Sequence, residues 1–163
     1  VRPIISMNGA HHFNEVVFDD AFVPDAMVFG EIGSGWTQVT SELAFERSGP
    51  ERFLSTFPVL AASAPRADHE VGRLVARVAG LHHISSAVAS ALERHEPADV
   101  AASLVKVLGT TTEGDIADYA DLRGDEELVE LVGAAVDQRP GFTLRGGTNE
   151  VLRGVIARGL GLR

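Results

Sequence analysis

Cysteine is absent from the 163 residues of this chain, which excludes disulfides and thiol catalysis and fits a reducing compartment. Basic residues are scarce: 14 Lys and Arg stand against 23 Asp and Glu, a formal charge of −9. The clustered cations that a phosphate backbone requires are therefore missing, and no nucleic-acid partner is expected. No apolar run reaches the roughly 18 residues of a membrane span, and no basic-plus-apolar segment opens the chain. No membrane association is expected, and a cytoplasmic, unexported location is. The remainder is ordinary for one domain with a sizeable core, 45% hydrophobic and 23% charged. The chain opens at Val1 rather than Met, and with the pattern that follows this leads us to expect a piece of a larger protein.

Residues 1–32 read as extended structure and turns. Arg2-Pro3-Ile4-Ile5, Asn14-Glu15-Val16-Val17-Phe18 and Phe22-Val23-Pro24-Asp25 are candidate strands, separated by Asn8-Gly9 and Asp19-Asp20. So few strands cannot stand alone, and we expect the trailing edge of a truncated β domain. From residue 33 to 163 the pattern turns helical. Asp68 is a plausible cap for a helix with the stripe Val71, Leu74, Val78, Leu81, Ser85, Val88 and Leu92. Glu96-Pro97 ends it, and Asp99 opens another with Val100, Leu104, Val107 or Leu108, Ile116 and Tyr119 turned inward, weakened by Gly109, Gly114 and Thr110-Thr111-Thr112. Asp125 to Gln138 carries Leu128, Leu131, Val132, Ala135 and Val136 at helical spacing, with Arg139-Pro140-Gly141 as its stop. Thr148 or Asn149 caps a last helix with Val151, Leu152, Val155, Ile156 and Leu160 on one side and Arg153, Arg158 and Arg163 on the other. The expected fold is mainly α: an antiparallel helical bundle of the four-helix up-and-down type, with a short β fringe at the N-terminus.

One carboxylate stands out. From Trp36, steps of three and four give Val39, Leu43, Glu46, Pro50, Phe53 and Phe57, the stripe a helix over 33–62 turns toward its core. Glu46 is thus expected to point inward. A carboxylate deprived of hydration more readily takes up a proton, as general-base chemistry near neutral pH requires. Pro50 should kink the helix beside it. The bland alternative is an ion pair, with Arg47 the neighbour in sequence although it points about 100° away around the helix.

Near the C-terminus, Phe142 to Glu150 places Gly146-Gly147 just before a helix start, where free N–H groups can receive an anion or the polar edge of a cofactor. A tight turn needing φ > 0 explains the same glycines. The pairs His11-His12 and His82-His83 diverge on any regular element, so no metal site is expected. Asp125-Glu126-Glu127 complements a helix dipole.

Three blocks resemble one family. RPIISMNGAHHFNEVVFDDAFVPDAMVFGEIGSGW is similar to the last β-domain strands of acyl-CoA dehydrogenases and their glycine-rich step into the helical domain. ELAFERSGPERF resembles the first helix of that domain, and GFTLRGGTNEVLRGVIARGLGLR its final loop and helix. The resemblance implies FAD-dependent α,β-dehydrogenation of an acyl-CoA thioester to the 2-enoyl-CoA, an electron-transfer flavoprotein-type acceptor, and a homo- or hetero-oligomer. Most members carry the catalytic Glu immediately before the Gly-Thr pair of the final loop, and Gly146 matches that position. A minority place it on the first helix before an Arg, which matches Glu46 followed by Arg47. Periodicity and resemblance therefore meet on Glu46 as the base. Arg47 matches an active-site Arg supporting base or substrate, and Thr148 and Glu150 match flavin-facing positions.

Two family motifs are missing. Ala64-Pro65-Arg66-Ala67-Asp68 stands where an Arg-x-x-Phe-Gly segment is usual, and Asp121-Leu122-Arg123-Gly124-Asp125 where a Gly-Gly-x-Gly loop is. Similar losses occur in members acting on sterol-derived CoA esters, often as mixed oligomers. On its own this chain is expected to hold FAD weakly and to be inactive. The competing expectations are a non-catalytic partner subunit of a heteromeric dehydrogenase and a plain helical interaction bundle.

Overall fold

The computed structural model of the chain describes residues 1–66 and 68–162. Arg163, expected on the polar side of the last helix, and Ala67, within the missing family motif, lie outside the described residues. The chain divides into two compact units, Val1–Ser41 and Glu42–Arg163.

In the first unit a turn sets the strands. Gly9 takes φ +78, a conformation glycine adopts without penalty. Gly9 N–H donates to Ser6 O, and Ser6 N–H to Ala10 O, both at 2.8 Å. Pairing starts where that turn ends: β1 (Arg2–Ile5) and β2 (His11–Glu15) run antiparallel, Arg2 opposite Glu15 and Ile4 opposite Phe13. The second strand therefore begins at His11 rather than Asn14. Phe22–Asp25 is not a strand; it leads into a 3-10 turn at Asp25–Met27, whose Met27 N–H donates to Pro24 O. The unit closes with α1 (Gly35–Ser41), on which Trp36 and Val39 are exposed.

The single helix expected over 33–62 is instead three: α1, α2 (Leu43–Ser48) and α3 (Phe57–Ser63), with a 3-10 turn at Pro50–Arg52. At the first break Thr40 Oγ1 donates to Trp36 O and Thr37 O, and Ser41 Oγ to Gln38 O. At the second break Gly49 lies in the extended region at φ −65, ψ 156, as the residue before a proline is pushed to do. The helix stops there rather than kinking.

Two 25-residue helices form the body of the second unit: α4 (His69–Glu93) and α5 (Asp99–Arg123). Asp68 caps α4 by accepting from Val71 N–H at 3.0 Å. The α4 stripe is as expected, with Val71, Leu74, Val78, Leu81 and Val88 buried and Ser85 and Leu92 half-buried. Helix α5 differs: it packs against α2, α3, α4, α6 (Val129–Phe142) and α7 (Asn149–Gly159), and thirteen of its residues are buried, among them Ala102, Val105, Ile116 and Ala117. Its threonines do not break it, because Thr110, Thr111 and Thr112 each donate to the carbonyl four residues back at 2.7–2.8 Å.

Gly124 in the left-handed region, φ +61, ends α5. Helix α6 runs through Pro140 to Phe142 instead of stopping at Arg139; burial of the Phe142 ring holds that final turn. Leu131, expected inside, is exposed. Thr148 caps α7, accepting from Val151 N–H at 3.3 Å; Leu152 is its buried anchor, while Val151 and Leu160 are exposed. The mainly α bundle with a β fringe is the observed architecture. Among the described residues no helix is long and apolar enough to cross a membrane.

Gly109 of α5 admits α2's neighbour: a Cβ built there lies 2.4 Å from Arg52 O and 3.1 Å from Phe53 Cβ. Gly80, inside α4, has nothing within 4 Å. Gly109→Ala should lower stability by about 1–3 kcal/mol through overpacking, whereas Gly80→Ala should raise it by about 0.5–1 kcal/mol. Urea denaturation of both variants checks this, and equal effects of the same sign would contradict the packing described.

Candidate functional site

Helix α2 buries Ala44 and Ser48, one turn apart. Ser48 Oγ donates to Ala44 O at 2.8 Å, and Ser85 Oγ of α4 donates to Ser48 O at 2.6 Å. Glu46 sits about 200° round from Ala44 and so faces outward. Its side chain is 45% exposed, which corrects the inward expectation: without the long helix there is no continuous stripe to carry it into the core.

The ion-pair partner of Glu46 is Arg52, not Arg47. Arg52 Nη2 donates to Glu46 Oε1 and Arg52 Nε to Glu46 O, both at 2.9 Å. The guanidinium is buried and grips both the side chain and the backbone of Glu46. In a continuous helix a residue six positions on points about 240° away; the Gly49-Pro50 break folds Arg52 back. Sequence reasoning missed it for that reason.

Arg47 reaches the other way. Its Nε donates to Gly146 O at 3.0 Å across 99 positions, and Gly146 and Gly147 both take positive φ, +64 and +93. A Cβ on Gly146 would lie 3.5 Å from Glu46 Oε1. The structure thus brings together Glu46, Arg47 and Gly146. Thr148 and Glu150 stand on the same loop at the start of α7. The backbone N–H of Glu150 and then the Thr148 hydroxyl hold the Glu150 carboxyl below its ordinary range, with Arg153 and Lys106 adding to that. A half-buried hydroxyl beside an exposed ionised carboxylate is a donor set that fits the polar edge of a cofactor.

Beneath the loop lie two ionisable residues of α5. Lys106, the only lysine in the chain, is fully buried and donates to Thr143 O and Asn149 Oδ1, each at 2.8 Å. Burial first, then Arg52, Arg145 and Arg47, push its ammonium down to about 8, against the pull of Glu150. Glu113, also fully buried, accepts Ser55 N–H at 2.8 Å and lies 3.5 Å from Arg145; burial raises its proton affinity, opposed by the bonds from Ser55 and then by Arg145 and Arg52. Neither residue stands out by helical periodicity. Being the lone lysine among 14 basic residues is the signal that could have found Lys106. No group of His, Cys, Asp and Glu able to hold a metal occurs among the described residues.

Chemically, this is an arginine-held, half-exposed carboxylate beside a glycine loop. Such a group can accept a proton from a molecule seated against that loop.

Comparison with known proteins gives these residues a setting. The family described as acyl-CoA dehydrogenase, C-terminal domain, matches residues 55–161. Acyl-CoA dehydrogenase FadE29 of Mycobacterium tuberculosis is 33% identical over 181 residues, covering 95% of this chain and 46% of the relative. Acyl-CoA dehydrogenase IpdE1 of Mycolicibacterium smegmatis is 31% identical, covering 99% and 45%. Acyl-CoA dehydrogenase FadE34 of Mycobacterium tuberculosis is 45% identical over 47 residues, 29% of this chain and 7% of that protein. The chain spans a little under half the length of the first two.

The lysine makes the site's electrostatics measurable. Folded, Lys106 releases its proton near 8; unfolded, near 10.5. Between these values the unfolded chain binds more protons, so stability rises with pH there, and below about 8 the full cost of the buried ammonium is present. Lysine-selective 15N labelling should give one side-chain signal titrating near pH 8, and Lys106→Met should abolish the gain in urea midpoint between pH 8 and 10. A midpoint near 10.5 would contradict this.

Proposed function

The chain belongs to the acyl-CoA dehydrogenase family, and on that premise we propose that it supplies the proton-abstracting side of α,β-dehydrogenation of an acyl-CoA thioester, with Glu46 as the base. The observation that carries the reading is the 3.5 Å between Glu46 Oε1 and a Cβ at Gly146. The family places its base at either of these two positions, and here one is a carboxylate and the other a glycine within its reach.

The chain's own residues then have distinct tasks. Arg52 orients Glu46 through two 2.9 Å bonds and so presents the carboxylate that takes the α-proton. Arg47 fixes the loop through Gly146 O, and the bare glycines leave room for the thioester. Thr148 and Glu150 would hold the polar edge of the flavin. The chemistry FAD would supply when bound is uptake of the β-hydrogen as hydride, which with loss of the α-proton to Glu46 would leave the 2-enoyl-CoA. We further infer a cytoplasmic oligomer, of one chain type or two, passing electrons to an electron-transfer flavoprotein-type acceptor and serving fatty acid or sterol side-chain degradation.

A second reading has its own support: a buried Arg52 paired with Glu46 is also what a structural role gives, as in a non-catalytic partner subunit. Rapid-mixing measurement of flavin bleaching by an acyl-CoA in the flavin-loaded enzyme separates the two. Glu46→Gln should slow bleaching by about 10²–10⁴-fold with little change in substrate affinity. Adding Gly146→Glu should restore part of the rate, limited because Glu resists the left-handed backbone at φ +64. Unchanged bleaching in Glu46→Gln would remove Glu46 as the base and favour the partner subunit.

A further inference from the structure

A lysine ammonium buried among neutral acceptors is a costly way to fill space, and an apolar side chain of similar length would be tolerated better. Among the described residues no carboxylate pairs with the Lys106 ammonium; its two 2.8 Å partners are a backbone carbonyl and an amide oxygen, and the nearest arginines repel it. What the arrangement achieves lies in those partners. Thr143 O and Asn149 Oδ1 belong to the two ends of the loop that carries Gly146, and Asn149 N–H also donates to Thr143 O at 3.2 Å. The Thr110 hydroxyl, one turn along α5, lies 3.2 Å from the same Asn149 oxygen. The loop is therefore closed into a ring whose seam rests on the most buried helix of the molecule.

Between the two anchors Leu144 and Arg145 are exposed and Gly146 and Gly147 have no side chain, so little else restrains the segment. Arg47 holds Gly146 O from the side and Glu113 lies against Arg145, but neither touches both ends. The geometry suits lysine in particular: three tetrahedral donors on a narrow stem can serve acceptors on different sides, which a planar guanidinium fork cannot.

We propose that Lys106 is a positioning residue: by clamping Thr143 O and Asn149 Oδ1 together it closes the 143–149 loop and sets Gly146 at its distance from Glu46 and Arg47. Its consequence for turnover rests on the reading of Glu46 as base; its effect on the loop does not.

Hydrogen exchange and flavin bleaching, measured on the same variants of the flavin-loaded enzyme, test this. Lys106→Met should raise exchange across 144–150 by at least about tenfold while leaving α4 unchanged. It should lower the limiting bleaching rate by up to about 10²-fold, with little change in the acyl-CoA concentration needed for half-maximal bleaching. Asn149→Leu keeps the ammonium on Thr143 O and should raise exchange less, which preserves the test if Lys106→Met does not fold. Unchanged exchange at 144–150 in the folded variants overturns the proposal. So does raised exchange with unchanged bleaching in an enzyme that Glu46→Gln impairs. If Glu46→Gln leaves bleaching intact, the base reading fails by itself, and exchange alone then decides the role of Lys106.

Discussion

A helix packed against five others keeps little face for water, and most of its buried polar groups find partners in protein. Helix α5 is in that position. Its threonines turn back on their own carbonyls, but Lys106 and Glu113 are too long and too strongly polar for that remedy. They reach outward to backbone instead: Lys106 to the loop before α7, Glu113 to the Ser55 amide just past the Pro50–Arg52 turn. The two irregular segments forming the site are thus both tethered to one helix, two turns apart.

Local chemistry at Gly49-Pro50 supplies the other half of the site. Ending α2 after Ser48 leaves Glu46 on a short, half-exposed helix and returns Arg52 beneath it, with Gly109 making room for Arg52's carbonyl. The result is a carboxylate held by Arg52 on a chain whose net charge is negative, beside a loop near which Arg47, Arg145 and Lys106 also lie. Positive charge gathered about the loop of an acidic molecule gives that loop an electrostatic contrast with its surroundings.

How far this was legible varied with the kind of signal. The α4 stripe was readable because only one of its faces meets the core, so apolar residues recur every three or four positions. In α5 burial on nearly all sides erases that recurrence, and small and polar residues occupy core positions where periodicity offers no clue. At Glu46, Arg47 and Gly146 the motif resemblance picked out three residues that do come together, while periodicity drew Glu46 inward along a helix that breaks twice. The second of those breaks depends on the conformation imposed before a proline.

The sequence by itself determined what depends on neighbours within a turn or two: the helical bulk of the chain, the cap at Asp68, the hairpin turn at Gly9 and the family. Tertiary structure alone decided that Arg52 rather than Arg47 pairs with Glu46, that Arg47 spans to Gly146, and that the only lysine lies buried under the loop. The physical reason is that these contacts join groups up to 99 positions apart. Which of many acceptors each cation finds is set by how the helices pack and by the demand that no buried charge go unmet, neither of which a local pattern encodes.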